Sequence, residues 1–168
     1  GYPDLMESCH VCRDRRILIN ESYQLVPIDV KDMRERGVTR VFTLNELAQY
    51  DGKEEGKAIY MSVKGVVFDV TPGKNFYAEG GSYHGMAGKD VTRAMGTQNL
   101  EDYDFISDVG GLTDSELESV DQMFQYVYLR KYEIVGLMDY LVKEYDAKEA
   151  AMRTENAKES QENKKGEL

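Results

Sequence analysis

Apolar and polar positions alternate twice in the middle of the chain, first through Ile59-Tyr60-Met61-Ser62-Val63 and, after Lys64-Gly65, through Val66 to Val70. This pattern predicts two strands joined by a tight turn. Upstream, Thr43-Leu44-Asn45-Glu46 reads as a capping box, and Leu44, Leu47 and Ala48 share one face of a short helix that ends before Asp51-Gly52. Downstream, Asp90 is placed to cap a short helix over Val91 to Met95, with Gly96 ending it in a left-handed conformation. A second box, Thr113-Asp114-Ser115-Glu116, precedes Leu117, Val120, Phe124, Val127 and Tyr128. Their spacing predicts the longest helix, over 114–130. Ile134-Val135-Gly136 then reads as a short apolar strand able to join the hairpin.

Between the hairpin and the short helix the periodicity stops. The chain turns at Thr71-Pro72-Gly73 and enters a long segment carrying Gly80, Gly81, Gly85 and Gly88, with Phe76, Tyr77 and Tyr83 among them. A loop of that length is either functional or disordered. Its aromatic side chains argue against disorder, so the expectation is one wall of a flat, apolar ligand pocket with Tyr83 touching the ligand. Gln98 to Asp108 is polar and acidic and is expected to be a surface excursion.

The ends have a different texture. Residues 1–38 show no clear period, hold both cysteines as Cys9-His10-Val11-Cys12, and contain Pro27, which argues against a central strand. From Asp139 to Arg153 good helix formers carry a thin apolar face of Leu141, Val142, Tyr145 and Met152, predicting a mostly solvated helix. Beyond Thr154 there is almost nothing to bury, and a disordered tail is expected. The organisation is thus an N-terminal extension with C-x-x-C over 1–38, an α+β domain over 39–137, and a charged helix with a disordered tail over 138–168.

The 168 residues suit one domain with appendages. Lys+Arg 21 against Asp+Glu 31 gives a net charge of -10, which opposes binding to nucleic acid or anionic lipid. No apolar run approaches the roughly 18 to 20 residues that span a bilayer. Gly1 is not an initiator Met, so a processed or recombinant fragment is expected. The C-x-x-C spacing allows half of a zinc site, a redox pair, or a local disulfide or two thiols in a flexible arm. A zinc site lacks a second cysteine pair, with His10 and His84 the only histidines, and a redox motif should follow a strand, so the third reading is adopted. No nucleophile–base pair or paired carboxylate motif can be assigned, and a non-enzyme is expected.

The runs FTLNELAQYDG, IYMSVKGVVFDVTPGKNFY, SYHGMAGKDVTR and LRKYEIVG, in this order across about Thr39 to Leu137, resemble the membrane-associated progesterone receptor family, a variant of the cytochrome b5 fold. Within it the likeness is to the secreted, neudesin-like branch. The resemblance implies a cytochrome b5-like haem/steroid-binding fold, a small sheet with short helices around a cleft. It further implies a noncovalently held haem b whose iron is bound by the tyrosine of SYHG, which is Tyr83 here. Tyr77, from the FY pair, and Lys131 and Tyr132, from the KY pair, would hydrogen-bond the phenolate or the haem propionates. These residue types suit the task, because ferric iron accepts a phenolate oxygen and nearby donors ease its deprotonation. The glycines around Tyr83 are expected to let the backbone approach the porphyrin.

The chain departs from cytochrome b5 itself, which clamps iron between two histidines. Thr71-Pro72-Gly73 stands where a His-Pro-Gly-Gly motif would be, so a bis-histidine electron carrier is not expected. His84, directly after Tyr83, is a competing iron ligand unless it points away. Three classes of function follow: a haem-binding signalling or partner protein, which is favoured, an electron donor to cytochrome P450-type enzymes, or a steroid or interaction domain without haem. A protein receptor and a haem-mediated homodimer stay open as partners. Gly1, the C-x-x-C pair, the secreted relatives and Lys165-Gly166-Glu167-Leu168, one residue from K-D-E-L, point to a secreted protein or one of the endoplasmic reticulum lumen.

Overall fold

The computed structural model describes residues 22–167. Its centre is a four-stranded sheet in the order β1-β4-β3-β2, with β1 Val41–Phe42, β2 Tyr60–Val63, β3 Val66–Asp69 and β4 Glu133–Met138. The expected hairpin pairs Val63 with Val66 and Tyr60 with Asp69. Lys64 and Gly65 carry it through the turn at φ 55 and 79, the left-handed pair that matches strand twist. β4 joins the hairpin, as expected, pairing antiparallel with β3, and it also runs parallel to β1, a strand too short for its pattern to be read from sequence.

Because side chains alternate along a strand, β3 serves both faces of the sheet. Val66 and Phe68 join Met61, Val63 and Leu137 in the main core, while Val67 joins Phe42, Leu47 and Met138 on the other side. The helices α2 Leu44–Ala48, α3 Lys74–Tyr77, α4 Thr92–Thr97, α5 Asp114–Gln122 and α6 Leu129–Lys131 are short, and α7 Asp139–Gly166 is long. The box before α5 is complete, with Glu116 N–H donating to Thr113 Oγ1 at 3.2 Å and Thr113 N–H to Glu116 Oε1 at 3.0 Å. Before α2 only half of it forms, because Glu46 takes the hydroxyl of Thr43 rather than its amide. The predicted 114–130 helix is continuous in direction, but Met123–Tyr128 widens to a π-helical segment between α5 and α6.

Three local expectations need correction. Helix α4 ends at Gln98, which takes the left-handed conformation at φ 56, and Gly96 lies inside it. Gly96 is needed for contact instead, since a Cβ there would lie 2.9 Å from the Glu116 carbonyl oxygen. Asp90 is not the expected cap, since the N-cap of α4 is Val91 with no side-chain cap bond; one residue earlier, Asp90 is buried, accepts from Thr92 N–H at 3.1 Å and from the Tyr140 hydroxyl at 2.5 Å, and so ties α4 to the start of α7. Burial pushes its carboxyl above the usual carboxylate range. Finally, α7 runs through to Gly166 where disorder is expected beyond Thr154, and at 28 residues it, rather than the 114–130 segment, is the longest helix. The sequence has neither glycine nor proline between Leu137 and Lys165, and ion pairs such as Glu144–Lys148 at 3.0 Å support the exposed helix.

The second half of the N-terminal extension also packs onto the domain. Helix α1, Val30–Glu35, is capped by Asp29 and buries Val30 and Met33 in the main core. Ahead of it, the Tyr23 hydroxyl and Val26 N–H donate to Asp121 Oδ2 at 2.6 and 2.9 Å. Lys64 Nζ lies 2.6 Å from Asp121 Oδ1, and their side chains are only 6% and 10% exposed. Burial alone would raise the Asp121 carboxyl, but Lys64, Tyr23 and Val26 outweigh it and hold it below the usual range. Cys9, His10 and Cys12 lie outside the described residues.

Candidate functional site

On the main-core side of the sheet lies a cavity of about 590 Å³ walled by the glycine-rich loop with α3, by α4, and by the π segment with α6. Met86, Met95, Met123 and Val127 give it apolar walls, and Phe76 and Leu100 stand at its rim. Tyr77, Tyr83, Lys131 and Tyr132 all line it, although the two pairs come from segments far apart in the chain. Clefts of roughly 300 to 1,000 Å³ are the size that takes small molecules and cofactors.

The tyrosines differ in setting. Tyr77 is only 5% exposed, and its hydroxyl lies 3.3 Å from that of Tyr128. Burial, and then its tyrosine neighbours Tyr128 and Tyr132, push the Tyr77 phenol far above its ordinary value, so it remains a neutral donor throughout the physiological range. Tyr83 is 40% exposed, with its ring 6.2 Å from Tyr77 and 5.9 Å from Phe76. Tyr132 stacks on Tyr128 at 5.9 Å and meets Tyr77 edge-on at 6.4 Å. Gly73 makes this crowding feasible, since a Cβ there would sit 2.7 Å from the Tyr132 hydroxyl oxygen. Lys131 is exposed at the end of α6.

Of the loop's glycines, Gly81 is required by the loop's own packing. A Cβ on Gly81 would fall 2.3 Å from the Phe76 carbonyl oxygen, the same atom that accepts from Tyr83 N–H at 2.9 Å. The loop therefore closes on α3 and carries Tyr83 to the cavity mouth. His84 follows a different course, since its Nδ1 is 3.0 Å from the Tyr77 carbonyl oxygen and it does not line the cavity. Tyr128 lines the cavity but was not among the residues picked out for the site. Its sequence signal is the adjacency of Val127 and Tyr128 at the end of an apolar helical stripe, where the wider π turn presents both to one space.

Residues 43–145 match the family described as Cytochrome b5-like Heme/Steroid binding domain. The chain is 42% identical over 95 residues to a protein of Arabidopsis thaliana named Probable steroid-binding protein 3, covering 56% of this chain and 94% of that one. To a neuferricin homolog of Caenorhabditis briggsae it is 33% identical over 119 residues, covering 71% of this chain and 36% of that one. Other relatives, among them membrane steroid-binding proteins of Arabidopsis thaliana, are matched over about half of their length. A solved Arabidopsis thaliana structure with a cytochrome b5 like fold superposes with a TM-score of 0.55 at 39% identity, over 61% of this chain and 93% of that one. The chain belongs to the cytochrome b5-like haem/steroid-binding domain family, among relatives that include membrane steroid-binding proteins and neuferricin homologues.

Proposed function

We propose that the cavity binds haem b noncovalently, with the Tyr83 phenolate as axial ligand to iron and with Tyr77, Lys131 and Tyr132 holding the phenolate or the propionates. The observation that carries this reading is the convergence of these four residues on one apolar cavity in which Tyr83, alone of its four tyrosines, is exposed at the mouth. The donor set fits the group: a phenolate oxygen suits ferric iron, thioether and aliphatic walls suit a porphyrin face, and a lysine at the rim suits a carboxylate. Among the described residues there is no cluster of three or more His, Cys, Asp or Glu that would hold a bare metal ion instead.

A phenolate-bound haem favours the ferric state. That supports a haem-dependent signalling or partner protein over an electron donor to a cytochrome P450-type enzyme, and the assignment as a non-enzyme belongs to the same proposal. We place it in the secretory pathway, since a C-x-x-C pair accords with an oxidising compartment. Detection of the native protein in the cytosol with both cysteines reduced would overturn that placement. Steroid binding is the second reading. It is favoured by the apolar walls ending in phenolic donors and by the names of the relatives.

Titration with haemin, followed by absorbance, tests the main reading. Tyr83→Phe removes one oxygen, so haemin affinity should fall by more than about tenfold, or 1.4 kcal/mol, and the ferric-phenolate charge-transfer band should vanish. Tyr77→Phe and Lys131→Ala should weaken binding less. Wild-type affinity and spectrum in Tyr83→Phe, with loss of both in His84→Ala, would transfer the ligand role to His84.

A further inference from the structure

We infer that Gln98 is a ligand-binding residue, its side-chain amide donating a hydrogen bond to a propionate of the haem at the cavity mouth. The inference rests on the haem reading above and deepens it. Gln98 opens the polar 98–108 stretch that reads in sequence as a surface excursion, yet it lines the cavity, as does Leu100 two residues on. Its backbone is unusual. Among the described residues only Gln98 and Lys64 of the hairpin turn adopt positive φ without being glycine. At φ 56 and ψ 25 Gln98 ends α4, its N–H donating to the Ala94 carbonyl oxygen at 2.8 Å. This conformation crowds a Cβ, and glycine or asparagine would serve it better. At Lys64 the side chain has a use in the fold, the buried pair with Asp121. At Gln98 it has none: the side chain is exposed, and the hydrogen bonds around it among the described residues belong to Thr97 and Asn99.

Those neighbours hold Gln98 in place. Thr97 Oγ1 donates to Asp104 Oδ2 at 2.8 Å and Asn99 Nδ2 to the same oxygen at 3.1 Å, while Arg93 Nε donates to Asp104 Oδ1 at 3.2 Å. Asp104 is only 6% exposed, so a buried carboxylate fixes the residue on either side of Gln98. The rest of the cavity decides what the amide meets. A carboxylate set among Met86, Ala94 and Met95, all buried, would be stripped of water with no partner. A haem therefore enters with its apolar edge inward and its two propionates at the solvent edge. The exposed polar residues of the lining are Tyr83, Lys131 and Gln98. With Tyr83 on the iron, Lys131 from the end of α6 and Gln98 from the end of α4 are left for the propionates. The Gln98 amide carries two donor hydrogens, and although the chain bears a net charge of -10, no Asp or Glu lines the cavity to repel an anion.

The test titrates haemin, and haemin dimethyl ester, whose propionates carry no charge, into the wild type, Gln98→Gly and Gln98→Glu, with Tyr83→Phe as reference and urea denaturation of each haem-free protein. Gln98→Gly should lose about three- to tenfold in haemin affinity and keep the charge-transfer band. Its urea midpoint should be no lower than that of the wild type, because glycine adopts the left-handed backbone freely. Gln98→Glu is nearly the same in shape but sets a carboxylate against the propionate, so it should lose more haemin affinity than Gln98→Gly, and the gap should widen at low salt. Toward the dimethyl ester the two variants should bind alike. Wild-type haemin affinity in Gln98→Gly would overturn the assignment, as would a gap between the two variants that is the same for haemin and its ester. A urea midpoint for Gln98→Gly well below the wild type would assign the side chain to the fold and overturn it too. In each of these cases a retained charge-transfer band leaves the haem reading intact. Wild-type binding by Tyr83→Phe would overturn both, and is read from that reference alone.

Discussion

Gly81→Ala isolates how the loop holds Tyr83. The added methyl would stand 2.3 Å from the Phe76 carbonyl oxygen, 2.5 Å from its carbon and 2.9 Å from the Asn75 carbonyl oxygen. All three are backbone atoms, so no side chain can swing aside, and ordinary contact begins at 3.4 Å. Keeping the loop closed would impose about 1 to 3 kcal/mol of overpacking. Opening it forfeits the bonds from Tyr83 N–H to Phe76 and from Gly81 N–H to Ala78, both 2.9 Å, at about 1 kcal/mol each. Either route costs about 2 kcal/mol, and both displace Tyr83. Gly80→Ala is the matched control. Gly80 has φ 88 and no atom within 4 Å of a Cβ, so it should lose about 1 to 2 kcal/mol through backbone strain alone. Urea denaturation of the haem-free variants should therefore show similar losses. Haemin titration should separate them, with Gly81→Ala falling to the level of Tyr83→Phe and Gly80→Ala remaining near wild type. Wild-type haemin affinity and charge-transfer band in Gly81→Ala would refute the view that closure on α3 positions the ligand.

Three further outcomes follow from the packing around this site. Asp121→Ala leaves the buried Lys64 without its partner and should cost about 3 kcal/mol in urea denaturation, whereas an exposed ion pair such as Lys148 with Glu144 should cost well under about 1 kcal/mol. The same clamp sets a pH window for the 23–26 arm. Asp121 is held below its ordinary value, so its contribution is present above about pH 4 and disappears as pH falls through the lower folded value; Tyr23 is raised to about 12 by its bond to Asp121, so its share is lost as pH rises from about 10 to that value. Hydrogen exchange of the Val26 amide should accelerate at both limits, and protection unchanged at pH 2 would contradict the assignment. Truncation after Thr154 removes only exposed helix and should change the unfolding free energy of the rest by less than about 0.5 kcal/mol; a larger loss would reveal a packing role for the distal helix.

Local rules were enough for the hairpin, for the box at Thr113 and for the strand at Ile134, because alternation, a left-handed turn pair and a capping side chain act between residues close in the chain. The resemblance carried by four runs of sequence supplied Tyr77, Tyr83, Lys131 and Tyr132 as one set, but their distance along the chain hid what the fold does with them. It is β4, inserted between β1 and β3 directly after the KY pair, that fixes the position of Lys131 and Tyr132 relative to the glycine-rich loop. The same limit explains the misreadings. Gly96 is a glycine because the Glu116 carbonyl oxygen approaches it from α5, which no local pattern records. Asp90 resembles a cap until Tyr140 arrives from α7. Residues 22–38 lack a period of their own because their few apolar side chains fill a core built by others. Sequence determined the elements and the chemistry available to them. Only tertiary packing decided which hydroxyls are buried, which one faces the cavity mouth, and where an aperiodic arm is held by a buried charge.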